Sequence, residues 1–164
     1  MLKIQKTIDI LEDNSNVTTH IKNVGEYPFT DEDKTTKGWY QEYNECAIYL
    51  NETELCAREK WLIVILHEFA HYLYDWPNSN VYLPRMRNIE EEAFCDLFAY
   101  NVLWNNVEKA AARCCKEYSG KSLQDILHTY NWKNPKIYWE RIYLALNIAN
   151  EQKYLKYVRK AIHD

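Results

Sequence analysis

The pentapeptide His67-Glu68-Phe69-Ala70-His71 has the spacing H-E-x-x-H. On an α-helix, positions i and i+4 lie about 40° apart around the axis and some 6 Å along it, so the two imidazoles can converge on one cation. Glu68, about 100° further round, is then placed to act on a water at the same ion. Neutral histidine nitrogens suit zinc at ~2.0–2.1 Å, and a catalytic zinc site needs a third protein ligand plus one open position. Glu92-Ala93-Phe94-Cys95-Asp96 supplies a candidate, an E-x-x-x-D pair that again has i,i+4 spacing. Twenty residues separate His71 from Glu92, enough for a loop and a helix folding back on the first. Glu92 is the expected third ligand. Asp96, one turn on, is expected to accept the other N–H of a ligating histidine and so hold its tautomer. Glu90 and Glu91 are rivals, but Glu92 alone shares a helix face with Asp96, whereas Glu91 is rotated from it by about 100°.

A plainer reading exists. His67 and His71 could be half-buried helix residues with ordinary partners, and Glu90 to Glu92 a first-turn complement to the helix dipole. Two imidazoles and a carboxylate beside the apolar run Trp61 to Leu66 would, however, be costly polar groups in a core, and a divalent ion accounts for them. The chemistry that follows is hydrolysis: zinc as Lewis acid, Glu68 as general base and then as acid toward the leaving amine. A further donor to the oxyanion has candidates in His128, Tyr100, Tyr82 and Tyr72, each more simply read as packing or surface. Asp75, one turn beyond His71, is a further candidate partner for a ligand, or simply an aspartate at a helix end.

These residues must be positioned by helices, and the pattern predicts them. Leu55, Leu62, Leu66, Phe69 and Leu73 recur at helical spacing. Asn51 followed by Glu54 suggests a cap and Trp76-Pro77 a stop, giving a helix over 52–75. Asn88 with Glu91 opens a second helix over 89–105. Others are expected at 2–12, 107–118, 121–129 and 135–162, the last with Leu144, Ile148, Leu155, Val158 and Ile162 on one stripe. Cys46 to Leu50 is strand-like, and 13–44 suggests short strands and loops. Strand 46–50 is either an ordinary core strand or an edge to which an extended substrate adds. The expected fold is α+β and mainly helical, in one domain over 1–164. A small sheet and loops (1–50) pack on the metal-site helices (51–105), followed by a helical part (106–164).

Composition narrows the classes. A chain of 164 residues suits one domain. With 47% hydrophobic residues, 14 Tyr, 6 Trp and 4 Phe, it has ample apolar area to fold. Three glycines and four prolines exclude linker-rich and collagen-like readings. The longest apolar run, Trp61 to Leu66, is far below the ~20 residues of a membrane span, and the N-terminus lacks a signal peptide's apolar stretch, so a cytoplasmic protein is expected. Net charge is −4; the basic tail of Lys153, Lys156, Arg159 and Lys160 carries no nucleic-acid motif, and no direct nucleic-acid contact is expected. Five cysteines with no C-x-x-C pair argue against a disulfide framework and a zinc ribbon; most are expected to be small buried hydrophobes.

Taken together, Cys46 to Asn51, the helix bearing His67 to His71, and Glu92-Ala93-Phe94-Cys95-Asp96-Leu97-Phe98-Ala99 resemble the ImmA/IrrE family of zinc-dependent metallopeptidases. That family's pattern is H-E-x-x-H followed by E-x-x-x-[ND]-x-F-A, and the resemblance covers roughly residues 38–105. It implies a zincin-like fold and, as partner, a helix-turn-helix transcriptional repressor of mobile-element or stress-response genes that is cleaved. Carried over by position, it implies zinc ligands at His67, His71 and Glu92, a general base at Glu68 and a supporting carboxylate at Asp96. Cys95 stands where the family usually has Ala, and Val102-Leu103-Trp104-Asn105 replaces its common Leu-Met-Pro. Trp132 to Leu146, with Arg141, resembles the family's later helices loosely. Two further classes remain: a non-proteolytic regulatory binding protein containing zinc, and a zinc hydrolase acting on something other than a peptide.

Overall fold

In the computed structural model the described residues are 2–29, 36–41, 45–55, 57–75, 88–117 and 152–163. The sequence-predicted helix 121–129, and the part of 135–162 before residue 152, lie outside them. The architecture is mixed α and β and mostly helical. Helix α1 (Leu2–Asp13) precedes strands β1 (Val17–Lys22), β2 (Gly38–Gln41) and β3 (Cys46–Asn51), followed by helices α2 (Arg58–Asp75), α3 (Asn88–Trp104), α4 (Val107–Glu117) and α5 (Tyr154–His163).

The three strands form one sheet in the order β1-β3-β2. β3 runs parallel to β1, with Val17 opposite Cys46, and antiparallel to β2, with Gly38 opposite Leu50. Its near-continuous apolar sequence has a physical reason, because a central strand is covered on both faces. Ile48 and Leu50 enter the main core, while Ala47 and Tyr49 form a smaller cluster with Phe29 on the other face. Strand 46–50 is therefore central, and the alternative that it offers an edge to substrate is set aside. Among the described residues β2 is an edge strand of this sheet, and Gly38 brings it against α2.

The helix expected over 52–75 is shorter at its start. Asn51 does cap, accepting from the Thr53 amide at 3.2 Å, but what it caps is a single 3₁₀ turn, Glu52–Glu54. Asn51 is fully buried because it also joins two strands. Its Nδ2 donates to Thr36 O (2.9 Å) and its amide to Lys37 O (2.9 Å), tying the approach to β2 onto the end of β3. α2 begins at Arg58, whose guanidinium donates to Ile162 O at the end of α5 (2.7 Å), a cation at the negative end of a helix.

α2 is the spine of the core. Trp61, Leu62, Ile65, Leu66, Phe69 and Leu73 are buried along it. Against it pack Ile48 and Leu50 from the sheet, and Phe94, Leu97 and Phe98 from α3. α3 ends where Asn105 adopts a left-handed φ of 50°, with its amide bonded to Asn101 O (2.7 Å); Asn106 then caps α4 by accepting from the Lys109 amide (3.0 Å). α5 buries Tyr154, Leu155, Val158 and Ile162, but starts at Tyr154, so helix 135–162 is not continuous through Gln152 and Lys153. No helix among the described residues is long and apolar enough to cross a membrane.

Candidate metal centre

α2 and α3 lie side by side in opposite directions, because His67 meets Asp96 while His71, further along α2, meets Glu91, further back along α3. This arrangement assigns a carboxylate to each nitrogen of both rings. Nδ1 of His67 is 2.7 Å from Asp96 Oδ1, and Nδ1 of His71 is 3.1 Å from Glu91 Oε1. The two Nε2 atoms face one carboxylate, that of Glu92: His67 to Oε2 is 3.0 Å and His71 to Oε1 is 3.1 Å. The ring centroids are 5.0 Å apart and the planes cross at 77°.

Burial and these partners compete for the protons. Desolvation lowers the pKa of His67, but its hydrogen bonds to Asp96 and Glu92 outweigh that and raise it to about 10. His71 is treated likewise by desolvation, Glu91 and Glu92, ending at about 9. For Glu92, burial works upward, yet the two imidazoles win and hold its carboxyl well below the usual range. Glu68, 8% exposed, is pushed upward by desolvation against the pull of both histidines.

Strand β2 closes one side. A Cβ on Gly38 would sit 2.5 Å from Val64 Cγ1 and 3.1 Å from Glu68 Oε1, so only glycine lets the strand lie this close to the carboxylate. The Tyr40 ring lies parallel to that of His71, 6.3 Å centroid to centroid. A cavity of about 550 Å³ opens between β2 and the helices, bounded by Trp39, Tyr40, His67, Glu68, His71 and Glu92. A second, of about 340 Å³, continues past Glu68 to Ile63, Val64, Lys37, Asp96 and Tyr100.

Donor chemistry and spacing fit a divalent ion. Ligands at ~2.0–2.1 Å in a tetrahedron stand about 3.3 Å from one another, close to the Nε2-to-carboxylate separations here. His67, His71 and Cys95 form a group that could hold a metal ion, their ligand atoms all lying within 4.8 Å of one another.

Of the residues singled out in the sequence, His67, Glu68, His71, Glu92 and Asp96 come together. Glu91, weighed as a rival ligand, instead lies on Nδ1 of His71; its rotation away from Glu92 brings it to the second ring. Two participants went unforeseen, Cys95 and Gly38. Cys95 shares the α2-facing side of α3 and is fully buried, a position its i+3 spacing from Glu92 would have allowed one to find. Tyr72 is buried in the main core, its hydroxyl accepting from the Asn16 amide (3.3 Å), and it lines neither of the two cavities beside Glu68. Tyr100 lines the second cavity, and Asp75 is the last residue of α2. Tyr82 and His128 lie outside the described residues. Set against protein-family models, curated proteins and solved structures, the chain matches none of them.

Proposed function

We propose that this chain is a zinc-dependent metalloendopeptidase that cuts a protein substrate, with a helix-turn-helix transcriptional repressor in the cytoplasm as the substrate its motif resemblance suggests. The observation carrying this reading is the Glu92 carboxylate lying against both Nε2 atoms, with the buried carboxylate of Glu68 on the neighbouring position of α2. His67, His71 and Glu92 would hold the ion. Asp96 and Glu91 each accept Nδ1–H, which orients the rings and turns the Nε2 lone pairs toward the ligand position.

A bound zinc ion would supply a Lewis acid that polarises a peptide carbonyl and brings the pKa of water toward ~7. Glu68 takes the proton from the attacking water on its carboxylate and returns it to the departing amine nitrogen. Burial suits it to this exchange, since a carboxyl with a raised pKa is a stronger base and can hold the proton in transit. Substrate has a place to lie. The Lys37 carbonyl pairs with Asn51, so alternation along the ladder turns the main-chain groups of Gly38 and Tyr40 outward, away from β3. An extended segment could pair there, beside the cavity, which favours flexible linkers over folded domains.

The test is paired. Glu68→Gln should retain zinc and lose cleavage of a co-expressed repressor encoded nearby, while wild type cleaves; equal cleavage by both proteins would overturn the mechanism. One observation favours a second reading, a non-proteolytic zinc-containing regulatory protein: Cys95 belongs to the group near the ion position and could complete a closed ligand set. Zinc-loaded wild type that binds the repressor but never cuts it would decide for that reading.

A further inference from the structure

We propose that the Cys95 thiolate is an additional ligand of the ion, so that the resting site has the set His67, His71, Glu92 and Cys95. This rests on the metallopeptidase reading and deepens it.

The placement is a consequence of helix geometry. Glu92, Cys95 and Asp96 stand at i, i+3 and i+4 on α3, and Glu91 and Cys95 at i and i+4, so the thiol shares a helix side with three carboxylates, of which Glu92 touches both imidazoles, Asp96 that of His67 and Glu91 that of His71. The Cys95 Sγ lies within 4.8 Å of a ring nitrogen of each histidine, those two nitrogens being as close to one another, and Cys95 is a free thiol with no solvent exposure. Zinc takes sulfur at ~2.3 Å and imidazole nitrogen at ~2.0–2.1 Å, which sets sulfur about 3.6 Å from nitrogen in a tetrahedron. A move of about 1 Å, within the sweep of one χ1 rotation, closes the difference.

Ligation is a proton exchange without redox change. The S–H bond breaks, its proton leaves to buffer, and the sulfur electron pair forms the bond to the ion. Borderline-soft zinc favours thiolate, and four protein ligands make the closed arrangement typical of structural sites. Water and substrate reach the ion only when Cys95 withdraws. Peptide cleavage is thereby gated by a residue that takes no part in the hydrolytic step.

Cobalt(II) is the probe. Wild type loaded with Co²⁺ should show the visible d–d bands of a four-coordinate site together with a near-ultraviolet sulfur-to-cobalt charge-transfer band. Cys95→Ala should lose the charge-transfer band and keep the d–d bands. Bands of the d–d type without the sulfur band in wild type would overturn the proposal and leave the metallopeptidase reading standing, and so would a sulfur band that persists in Cys95→Ala. Wild type that takes up neither cobalt nor zinc would remove the reading and the proposal together. Should Cys95→Ala fail to fold by circular dichroism, zinc X-ray absorption on the unaltered protein decides: a sulfur scatterer at ~2.3 Å supports ligation, and a shell of nitrogen and oxygen alone excludes it.

Discussion

Among the described residues, two concavities of nearly equal size are built from opposite materials. The cleft between β2 and the α2–α3 pair, about 550 Å³, is lined by side chains that hold one another in place: two imidazoles 15% exposed, each held by a carboxylate on both nitrogens. The groove between α1 and α5, about 570 Å³, is lined by Lys3, Lys6, Asp9, Asp13 and Lys160 around the exposed ring of Tyr157. Long solvated side chains there can move without leaving a charge unpaired. Volume alone therefore does not identify a site. Burying ionisable groups is expensive unless they are paired, and shifted pKa values concentrate where that cost serves a function.

Removing a ring should separate the two concavities most sharply. His67→Ala or His71→Ala should abolish stoichiometric zinc retention, read by metal analysis after gel filtration, while Lys3→Ala and Lys6→Ala should change nothing; equal loss from both sets would erase the distinction. Glu68→Gln should keep zinc and lower cleavage by about 10²–10⁴, the usual weight of a general acid–base group, measured as kcat on a peptide spanning the cut. Asp96→Asn and Glu91→Gln should weaken zinc about 10–100-fold in competition with a chelator, because each holds a ring nitrogen rather than the ion.

A milder perturbation acts through packing. Gly38→Ala drives a methyl into Val64 and Glu68, so denaturant unfolding should report a loss of about 1–3 kcal/mol, and a neutral result would show that β2 is free to stand off from α2.

Acidity should produce the smallest contrast between cleft and groove. Both imidazoles have folded pKa values above their ordinary 6.5, so in the metal-free protein their stabilisation is complete below about pH 6.5. It is lost as pH rises through about 9 and 10. The Glu92 carboxyl, held low, contributes above its ordinary 4.5 and fades as pH falls below it. Zinc binding at pH 7 must therefore displace protons from both rings, and titration calorimetry in buffers of different ionisation enthalpy should show that release. Its absence would mean that the rings are neutral and the carboxylates do not hold them.

Local pattern was sufficient for the end of α2 and for α3, where core residues at helical spacing put the expected bounds 75 and 89–105 within one residue of Asp75 and of Asn88–Trp104. It was insufficient at Asn51, where a capping residue followed by Glu54 looks the same whether it opens a long helix or one 3₁₀ turn. The buried hydrogen bonds of Asn51 to Thr36 and Lys37 come from residues some 15 positions earlier, so no window around the cap contains them. Strand β3 shows the same limit: its apolar run indicates burial but not which neighbours it pairs with.

That His67 and His71 share a helix face with Glu68 beside them, and that Glu92 and Asp96 share another, was legible in the residue order, because α-helix geometry over four residues is local. The meeting of Glu91 with the second ring, the arrival of Cys95 in the group, and the border that β2 makes beside the cleft, admitted by Gly38, came from the folded chain alone. Those outcomes depend on how α3 lies against α2 and on the order β1-β3-β2. Both are fixed by packing between residues far apart in the chain, where a rotation of about 100° on one helix changes which atom faces which.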